Sequence, residues 1–325
     1  MLSKSEIVSY IEDYDSQALF TSARKEAEFY CGKNVFIRGI LEFSNYCVNN
    51  CLYCGLRQDN SEIERVRLSL NDIARSACEM INLGFKTIVL QSGDDYFYSV
   101  SDICDMISRI KEFDPDCAVT LSVGERGFSD YKAFREAGAD RYLIKHETAS
   151  KVLYEKFHPN QSFEERRKIL FKLREIGFQI GTGFIVGLSG QVIDDLVEDI
   201  LFIQELQPDM VGLGPFISQS NTPLSDAACG SIELTLKMIA LTRLVTKNAH
   251  IPATTALASL DPDNGLSDGL RAGANVIMCD YSPENFRKKY CIYDKKSHIT
   301  LEIAEKHISR VGLKMNMSRG DSLKL

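Results

Sequence analysis

The chain has 325 residues, of which 44% are hydrophobic and 26% charged, and its formal net charge is −7 at pH 7. This composition is that of a globular protein with a sizeable core and excludes extensive disorder. The acidic balance, without any run of lysine and arginine, argues against a nucleic-acid partner. Acids stand near the N-terminus where a signal peptide needs an apolar core, and no apolar run approaches a membrane span, so we expect a cytoplasmic protein without a membrane partner.

Eight short apolar runs along the chain predict strands buried on both faces, as in a parallel sheet. They begin at Val35, Thr87, Ala118, Arg141, Gln179, Met210, Ile251 and Ala274. Helical periodicity lies between them, at 70–83, 100–113, 163–176, 192–206 and 232–246. Glycines at the helix ends, Gly84, Gly138, Gly177 and Gly273, fit the C-cap position. Repeated strand, helix and glycine predict an α/β fold of the (βα)8 TIM-barrel type, with a doubly wound sheet as the alternative.

The domain organisation follows from the same pattern. No linker rich in proline, glycine or serine divides the chain, so we expect one barrel rather than two domains. Residues 1–33 would form an N-terminal helical extension. Residues 34–325 would form the barrel, with a C-terminal closing helix and tail from Ser297 onward.

A loop directly after the first predicted strand, "FSNYCVNNCLYCGLRQDN" from Phe43, carries Cys47, Cys51 and Cys54. A barrel places its chemistry at the C-terminal ends of its strands, which is where this loop lies. The chain has ten cysteines, and in a reducing compartment they are thiols or metal ligands rather than disulfides. Only these three have the spacing of metal ligands.

Three thiols are one too few for a structural zinc site, and the nearest other cysteines are Cys31 and Cys78. Three thiolates can hold a [4Fe–4S] cluster that keeps one iron open for a small ligand. A catalytic zinc with three thiolates and a water is an alternative, and chance clustering of buried cysteines is another. Polar neighbours of the trio make a poor apolar burial site, so the cluster is the favoured interpretation.

The pattern Cys-x3-Cys-x2-Cys after the first strand of an α/β barrel, with Tyr53 before the last cysteine, resembles the radical S-adenosylmethionine (SAM) superfamily. The chain is more closely similar to the HydE family of [FeFe]-hydrogenase maturases, in the group of biotin synthase and methylornithine synthase. That likeness spans residues 35–293 and is carried by "FSNYCVNNCLYCGLR", "VLQSGDD", "LSVGER", "KHETA", "GFIVGLSGQ", "DMVGLGPFI", "TPL", "LKMIALTR", "IPATTAL" and "GANVIM".

The resemblance implies that Cys47, Cys51 and Cys54 ligate a [4Fe–4S] cluster whose open iron binds SAM, which is reductively cleaved to a 5′-deoxyadenosyl radical. It also implies the residues that bind SAM: Ser92, Gly93 and Asp94 at the methionine amino group, Glu147 at the ribose, Arg166 at the carboxylate and the Tyr53 backbone at adenine. The family often has Glu in place of Asp94. Without the cysteine loop, Glu147 and Arg166 would be ordinary surface charges.

Polar residues on the strands predict a polar, anion-tolerant cavity, because a filled barrel core uses Val, Ile and Leu there. The candidates are Thr120, Ser122, Lys145, Thr182, Thr254 and Thr255, with His146 evenly balanced between cavity and core. Met210 and Met278 would line the cavity with flexible, polarisable side chains. The resemblance implies that Tyr290 and Tyr293 close the cavity. Lys145 stands where the family commonly has Arg, which keeps the charge but loses bidentate geometry.

The resemblance implies a radical SAM enzyme that acts on a small iron-bound or cysteine-derived precursor of the hydrogenase di-iron subsite. It also implies an electron donor such as ferredoxin or flavodoxin, and contact with other hydrogenase maturases. Only Cys291 stands in the C-terminal region where some relatives hold a second cluster, so one cluster is expected. The alternatives are a methylornithine-synthase-like mutase and a non-catalytic carrier of an iron fragment. A mutase needs an acid for the distal amine of its substrate, and the strand ends offer only Glu147, which the SAM site uses.

Overall fold

The computed structural model describes residues 1–12 and 14–324. Asp13 of the expected extension and Leu325 of the expected barrel domain lie outside the described residues. The helices are α1 (Lys4–Glu12), α2 (Ser16–Cys31), α3 (Leu70–Asn82), α4 (Val100–Phe113), α5 (Phe128–Glu136), α6 (Lys151–Phe157), α7 (Phe163–Ile176), α8 (Ile193–Leu206), α9 (Ile232–Thr246), α10 (Thr255–Leu260), α11 (Gly265–Arg271), α12 (Glu284–Arg287) and α13 (Leu301–Arg310). The strands are β1 (Asn34–Ser44), β2 (Thr87–Ser92), β3 (Ala118–Ser122), β4 (Arg141–Leu143), β5 (Gln179–Thr182), β6 (Ile185–Val186), β7 (Met210–Val211), β8 (Gly214–Pro215), β9 (Val276–Asp280) and β10 (Lys314–Asn316).

The strands form a parallel barrel, which confirms the predicted fold class. Neighbours in the main sheet follow the order β10-β1-β2-β3-β4-β5-β7, and β9 also pairs with β1. Single bridges close the ring, because His250 pairs with Met210 of β7 and Pro252 pairs with Val276 of β9. Helices pack around this sheet, as the (βα)8 pattern requires.

Local signals placed the ends of the five predicted helices to within one residue. The predicted bounds of α4, α7 and α9 match the structure residue for residue. The four glycines expected at helix ends all have positive φ, between 95° and 109°. This agreement reflects how strongly an apolar period and a left-handed C-cap specify a helix without tertiary information.

The strand predictions need three corrections. The run expected from Ile251 is not a ladder strand, because Pro252 has no N–H to donate and α10 begins at Thr255. The fifth and sixth predicted strands each split, into β5 and β6 and into β7 and β8, and β6 pairs with β8 in a separate small sheet. At the split a Cβ on Gly183 would lie 1.8 Å from the Gly212 carbonyl oxygen, so the two backbones are in direct contact there.

The two ends of the chain pack against the barrel. The α1–α2 pair lies against α8 and α9, and Arg24 Nη1 donates to the Ala274 carbonyl at 2.9 Å. At the other end α13 is followed by β10, an unpredicted strand that pairs with the start of β1. The tail then crosses the N-terminal ends of the strands. No helix in the described ranges is both long and apolar enough to cross a membrane.

Candidate active site

The C-terminal ends of the strands enclose a cavity of about 380 Å³. Most residues that the sequence nominated for cofactor and substrate lie on its wall. These are Cys47, Cys51, Tyr53, Cys54, Ser92, Gly93, Asp94, Ser122, Lys145, Glu147, Arg166, Thr254, Thr255, Met278, Tyr290 and Tyr293. Positions spread from β1 to the segment after β9 are therefore brought to one site.

Four nominated residues lie away from this wall, and two of them, Thr120 and Met210, are in the barrel interior. Thr120 is buried one layer below Ser122, since the two alternate positions share a face of β3, and its hydroxyl has no hydrogen-bond partner among the described residues. Met210 is also buried, and its sulfur accepts a hydrogen bond of 2.8 Å from Arg38 Nη1 inside the barrel. Both side chains occupy the barrel interior beneath the cavity.

His146 and Thr182 likewise lie off the cavity wall, in a buried network behind β4. His146 Nδ1 is 2.8 Å from the Thr182 hydroxyl, and its Nε2 is 3.2 Å from Asp199 Oδ1 of α8. The same Asp199 oxygen accepts the Ala149 N–H at 2.5 Å. Burial raises the pKa of Asp199 and lowers that of His146. The network ties the backbone at His146 and Ala149, on either side of Glu147, to Thr182 and Asp199.

The loop of residues 45–60, called the cluster loop below, is held by backbone and guanidinium contacts. Arg65 Nη1 donates to the carbonyls of Asn45 at 2.6 Å and Leu56 at 2.9 Å, which satisfies acceptors that the loop cannot pair internally. The loop is pressed onto the end of β2, because a Cβ on Gly93 would lie 2.2 Å from the Tyr46 carbonyl oxygen. Glycine is therefore required where β2 meets the first cysteine.

The three thiols of the cluster loop suit an iron–sulfur cluster. The pKa of Cys47 is raised to about 11 and that of Cys51 to about 12, mainly by burial. Burial also raises the pKa of Cys54. Thiols in this environment are protonated until a metal displaces the proton. Backbone N–H groups of Asn49 and Asp94 favour the Cys47 thiolate, and N–H···S bonds of this kind are a feature of cluster sites.

A single-metal site is not supported by the geometry. The described residues contain no group of three His, Cys, Asp or Glu side chains that could hold one metal ion. A cubane cluster instead places each thiolate on a different iron, so the sulfurs need not converge on one point. The catalytic-zinc alternative therefore has no geometric support.

Glu147 and Arg166 stand next to the cluster loop with distinct environments. Glu147 adopts a left-handed φ of 63°, a strained conformation for a residue with a side chain, and such strain collects at functional sites. Its Oε2 is buried without a hydrogen-bond partner in the described ranges, so it is available to a ligand. Arg166 Nε pairs with Glu125 Oε1 at 2.6 Å, and Nη1 donates to the Lys145 carbonyl at 2.6 Å.

Gln161 connects this arginine to the cluster loop and was missed by the sequence reasoning. Its Oε1 accepts from Arg166 Nη2 at 3.0 Å, while its Nε2 donates to Cys51 Sγ at 3.2 Å. Tyr53 is oriented nearby, since its hydroxyl is 2.8 Å from His158 Nε2. An amide between α6 and α7 gives no local signal of such a role.

The expectation that Glu147 is the only acid at the strand ends was wrong. Glu42 of β1 and Asp280 of β9 both line the cavity, together with Lys296. Glu42 could have been noticed as a lone acid in the apolar first strand. Asp280 and Lys296 could not, because one follows directly after a predicted strand and the other belongs to a polar tail.

Comparison with known proteins identifies the class that this fold and site define. The Radical SAM superfamily model matches residues 41–203. The chain belongs to the radical SAM superfamily, and it is a radical SAM enzyme.

Individual relatives show which proteins of the superfamily the chain is similar to. The chain is 48% identical, over 86% of its length, to the [FeFe] hydrogenase maturase subunit HydE of Thermotoga maritima, of which it covers 80%. It is 31% identical, over 89% of its length, to the 3-methylornithine synthase of Methanosarcina acetivorans, of which it covers 81%. Among solved structures, methylornithine synthase (PylB) superposes with a TM-score of 0.85 and 25% identity, over 97% of this chain and 94% of that one.

Proposed function

We propose that this chain is a HydE-type maturase, which acts on a small iron-bound or cysteine-derived precursor during assembly of the [FeFe]-hydrogenase di-iron subsite. The observation that carries the proposal is the 48% identity to HydE across most of both chains. The three-thiol loop on the cavity wall supports it, because the wall also holds the polar groups expected to bind SAM and an anion.

In this proposal Cys47, Cys51 and Cys54 would hold one [4Fe–4S] cluster, which would supply the electron for reductive cleavage of SAM. Arg166 holds the SAM carboxylate with the guanidinium donors that its three protein partners leave available. Glu147 offers its unpaired Oε2 to the ribose hydroxyls. Lys145 carries the substrate anion as a point charge, since a lysine cannot make the bidentate contact of an arginine.

The cavity is covered from above, which suits radical chemistry because exclusion of water prevents quenching. The covering segment, residues 281–299, spans the mouth: Ile292 accepts from the Gly55 N–H at 2.9 Å, and Asp294 N–H donates to the Ser218 carbonyl at 3.1 Å. A Cβ on Gly55 would lie 2.0 Å from the Cys291 carbonyl oxygen, so the covering segment packs directly against the cluster loop. We infer that an electron donor such as ferredoxin or flavodoxin approaches the outer side of that loop.

A maturation assay tests the proposal. Apo-hydrogenase would be matured with the other hydrogenase maturases and this protein as the source of HydE function, and hydrogen evolution measured. The proposal predicts activation by the wild type and none by Arg166→Ala. Arg167→Ala is the matched control, because the neighbouring guanidinium pairs with Glu205 on the outer surface. No activation by the wild type would contradict the proposal.

The same variant separates an enzyme from a carrier of an iron fragment. Both would hold a cluster, but only the enzyme needs a SAM site. If Arg166→Ala stops maturation while binding of the iron fragment is unchanged, the carrier alternative is rejected. If maturation continues without SAM cleavage, the enzyme proposal is rejected instead.

A mutase of the methylornithine synthase kind is a second candidate, favoured by the unexpected acids Glu42 and Asp280 on the cavity wall. Carboxylates there could accept the distal amine of a lysine-type substrate. Incubation of the reduced holoenzyme with SAM and L-lysine decides the matter, because a mutase would form a branched isomer of unchanged mass. The maturase proposal predicts that lysine is recovered intact.

A further inference from the structure

Glu147 occupies a backbone turn that a residue with a side chain does not favour. Its φ is 63°, and the Thr148 N–H donates to the His146 carbonyl at 2.8 Å, which closes a three-residue turn about Glu147. A three-residue turn with a positive φ at its centre is the rare and strained form. Such a conformation persists only when the surrounding structure over-determines it. Contacts on both sides of Glu147 must therefore hold the turn.

The backbone between β5 and β6 holds one side of Glu147. The Glu147 N–H donates to the Gly183 carbonyl at 2.9 Å, and the Glu147 carbonyl accepts the Ile185 N–H at 3.0 Å. These two bonds form a parallel bridge between Glu147 and Phe184. Bonds of this pattern are ordinary for extended residues, so they fix where Glu147 lies without specifying its positive φ. Other contacts must supply that constraint.

One carboxyl oxygen of Asp199, on α8, contacts the chain on both sides of Glu147. Asp199 Oδ1 accepts the Ala149 N–H at 2.5 Å and lies 3.2 Å from His146 Nε2. The Thr182 hydroxyl accepts the His146 backbone N–H at 3.3 Å, so its own proton is available to Nδ1 at 2.8 Å. Nε2 then carries the ring proton and donates it to Asp199. Both ends of the turn are thus tied to one oxygen atom.

Asp199 is a costly residue at this place in the fold. It is fully buried, and its neighbours on α8, Leu196, Ile200 and Ile203, are buried and apolar. Its second oxygen, Oδ2, has no hydrogen-bond partner in the part of the chain that the structure describes. Burial of a carboxyl oxygen without a partner lowers stability. Proteins accept such costs at functional sites, so the value of Asp199 lies in what its Oδ1 orients.

We propose that Asp199 is a positioning residue of the SAM site, which together with His146 holds the turn that presents the Glu147 carboxylate to the SAM ribose. The inference rests on the proposed function only in the contact between Glu147 and the ribose. Glu147 lies on the cavity wall, and its unpaired Oε2 is the atom presented. Asp199 lies behind the wall, so it acts through the backbone of residues 146–149.

Two ligands separate the ribose contact from the rest of the SAM site. L-Methionine carries the amino and carboxylate groups of SAM but no ribose. Binding of each would be measured by anaerobic equilibrium dialysis with the reconstituted, unreduced holoenzyme, in which SAM is not cleaved. We expect Asp199→Leu to weaken SAM binding roughly tenfold, as loss of a hydrogen bond to a charged group does, and to leave methionine binding unchanged. Unchanged SAM affinity, or equal losses for the two ligands, would overturn the proposal.

Two further variants of α8 test whether the acceptor oxygen is responsible. Asp199→Asn keeps an oxygen for the Ala149 N–H and the His146 ring, so SAM affinity should stay within about threefold of the wild type. Glu198→Leu is the matched control, because it makes the same kind of change at the adjacent, exposed residue and should leave SAM affinity unchanged. A loss in either variant as large as that of Asp199→Leu would overturn the proposal.

A double-mutant cycle tests whether Asp199 acts through Glu147. Glu147→Ala removes the carboxylate, so adding Asp199→Leu to that variant should cause no further loss of SAM affinity. A full additional loss would show that Asp199 acts elsewhere and would overturn the proposal. If Asp199→Leu does not fold, His146→Leu breaks the same network from the side of the ring and carries the same expectations.

Failure of this inference and failure of the proposed function give different results. A wild-type protein that shows the expected SAM affinities but does not activate hydrogenase would reject the maturase and keep the role of Asp199. Activation of hydrogenase by the wild type, together with unchanged SAM affinity in Asp199→Leu, would keep the maturase and reject the role of Asp199.

Discussion

The two mouths of the barrel both bury charged side chains, but they pair them differently: toward the N-terminal mouth the unpaired buried charge is a cation, Arg38 of β1, whereas at the C-terminal mouth carboxylate oxygens lack partners among the described residues. At the N-terminal mouth, Arg141 is fully buried and makes five hydrogen bonds, to Thr87, Gln179 and three residues of the C-terminal tail. At the C-terminal mouth, buried oxygens of Glu42, Glu147, Thr254 and Asp280 have no partner in the described part of the chain.

The difference indicates that buried charges serve stability at the N-terminal mouth and ligand binding at the C-terminal mouth. Paired buried charges at the N-terminal mouth dock the tail and close the barrel from below. Unpaired polar atoms at the C-terminal mouth cost stability, and such groups persist where a ligand satisfies them. Substitutions at the two mouths should therefore have opposite signatures.

The largest expected effect is at the C-terminal mouth. Cys51→Ala removes a cluster ligand, so we expect iron content to fall from about four per chain toward zero and 5′-deoxyadenosine formation to fall to background. Iron analysis and product chromatography measure this. Cys229→Ala is the control, because Cys229 is an exposed thiol away from the cavity wall. Retention of the cluster in Cys51→Ala would contradict the assignment of the ligands.

At the N-terminal mouth the expected loss is in stability. Arg141→Met removes the donor of five hydrogen bonds and leaves buried acceptors at Thr87 and Gln179 without that donor, while Asp321 keeps its pairing with Arg319, so we expect the free energy of unfolding to fall by about 1–3 kcal/mol. Chemical denaturation measures it, with Arg109→Met as the exposed control that should change it by less than about 1 kcal/mol. SAM cleavage per folded molecule should be unchanged, and a selective loss of cleavage would break the comparison.

The tail contact should also make stability depend on pH. Burial alone would raise the pKa of Asp321, but hydrogen bonds from Arg319 and Gln179 and the charge of Arg141 hold it below the ordinary value of 3.8. A carboxyl with a lowered folded pKa stabilises the fold above its unfolded pKa and loses that contribution as the pH falls through the folded pKa. The difference in unfolding free energy between wild type and Asp321→Asn should therefore be full above about pH 4 and shrink below it. A difference that is constant with pH would contradict this explanation.

The smallest expected effect tests Gln161 at the cluster. Gln161→Leu removes the N–H···S bond to Cys51, so the reduced cluster loses a stabilising donor and its midpoint potential should become more negative. A shift on the order of 59 mV corresponds to a tenfold change in a one-electron equilibrium. Gln191→Leu is the matched amide control, since Gln191 bonds the backbone of Ile185 and Gly187 instead. Equal midpoint potentials in the two variants would show that Gln161 does not affect the potential of the cluster.

Features with local signals could be predicted from the sequence. The bounds of α4 and α7, the glycine caps and the cluster loop each depend on residues within a few positions of one another. Features set by register between distant segments could not. Asp280 reaches Glu42 only because β9 pairs with β1, and Lys296 joins them only because the covering segment folds over the mouth. The strand expected at Ile251 failed because a backbone bridge at Pro252 replaces a full ladder.

The most direct test of the central claim is one anaerobic experiment. The protein is reconstituted with iron and sulfide and reduced, and electron paramagnetic resonance spectra are recorded with and without SAM while 5′-deoxyadenosine is quantified. The account predicts a reduced [4Fe–4S] signal that shifts on addition of SAM, together with deoxyadenosine formation. One tightly held zinc without iron, or a cluster signal that SAM leaves unchanged with no deoxyadenosine formed, would contradict it.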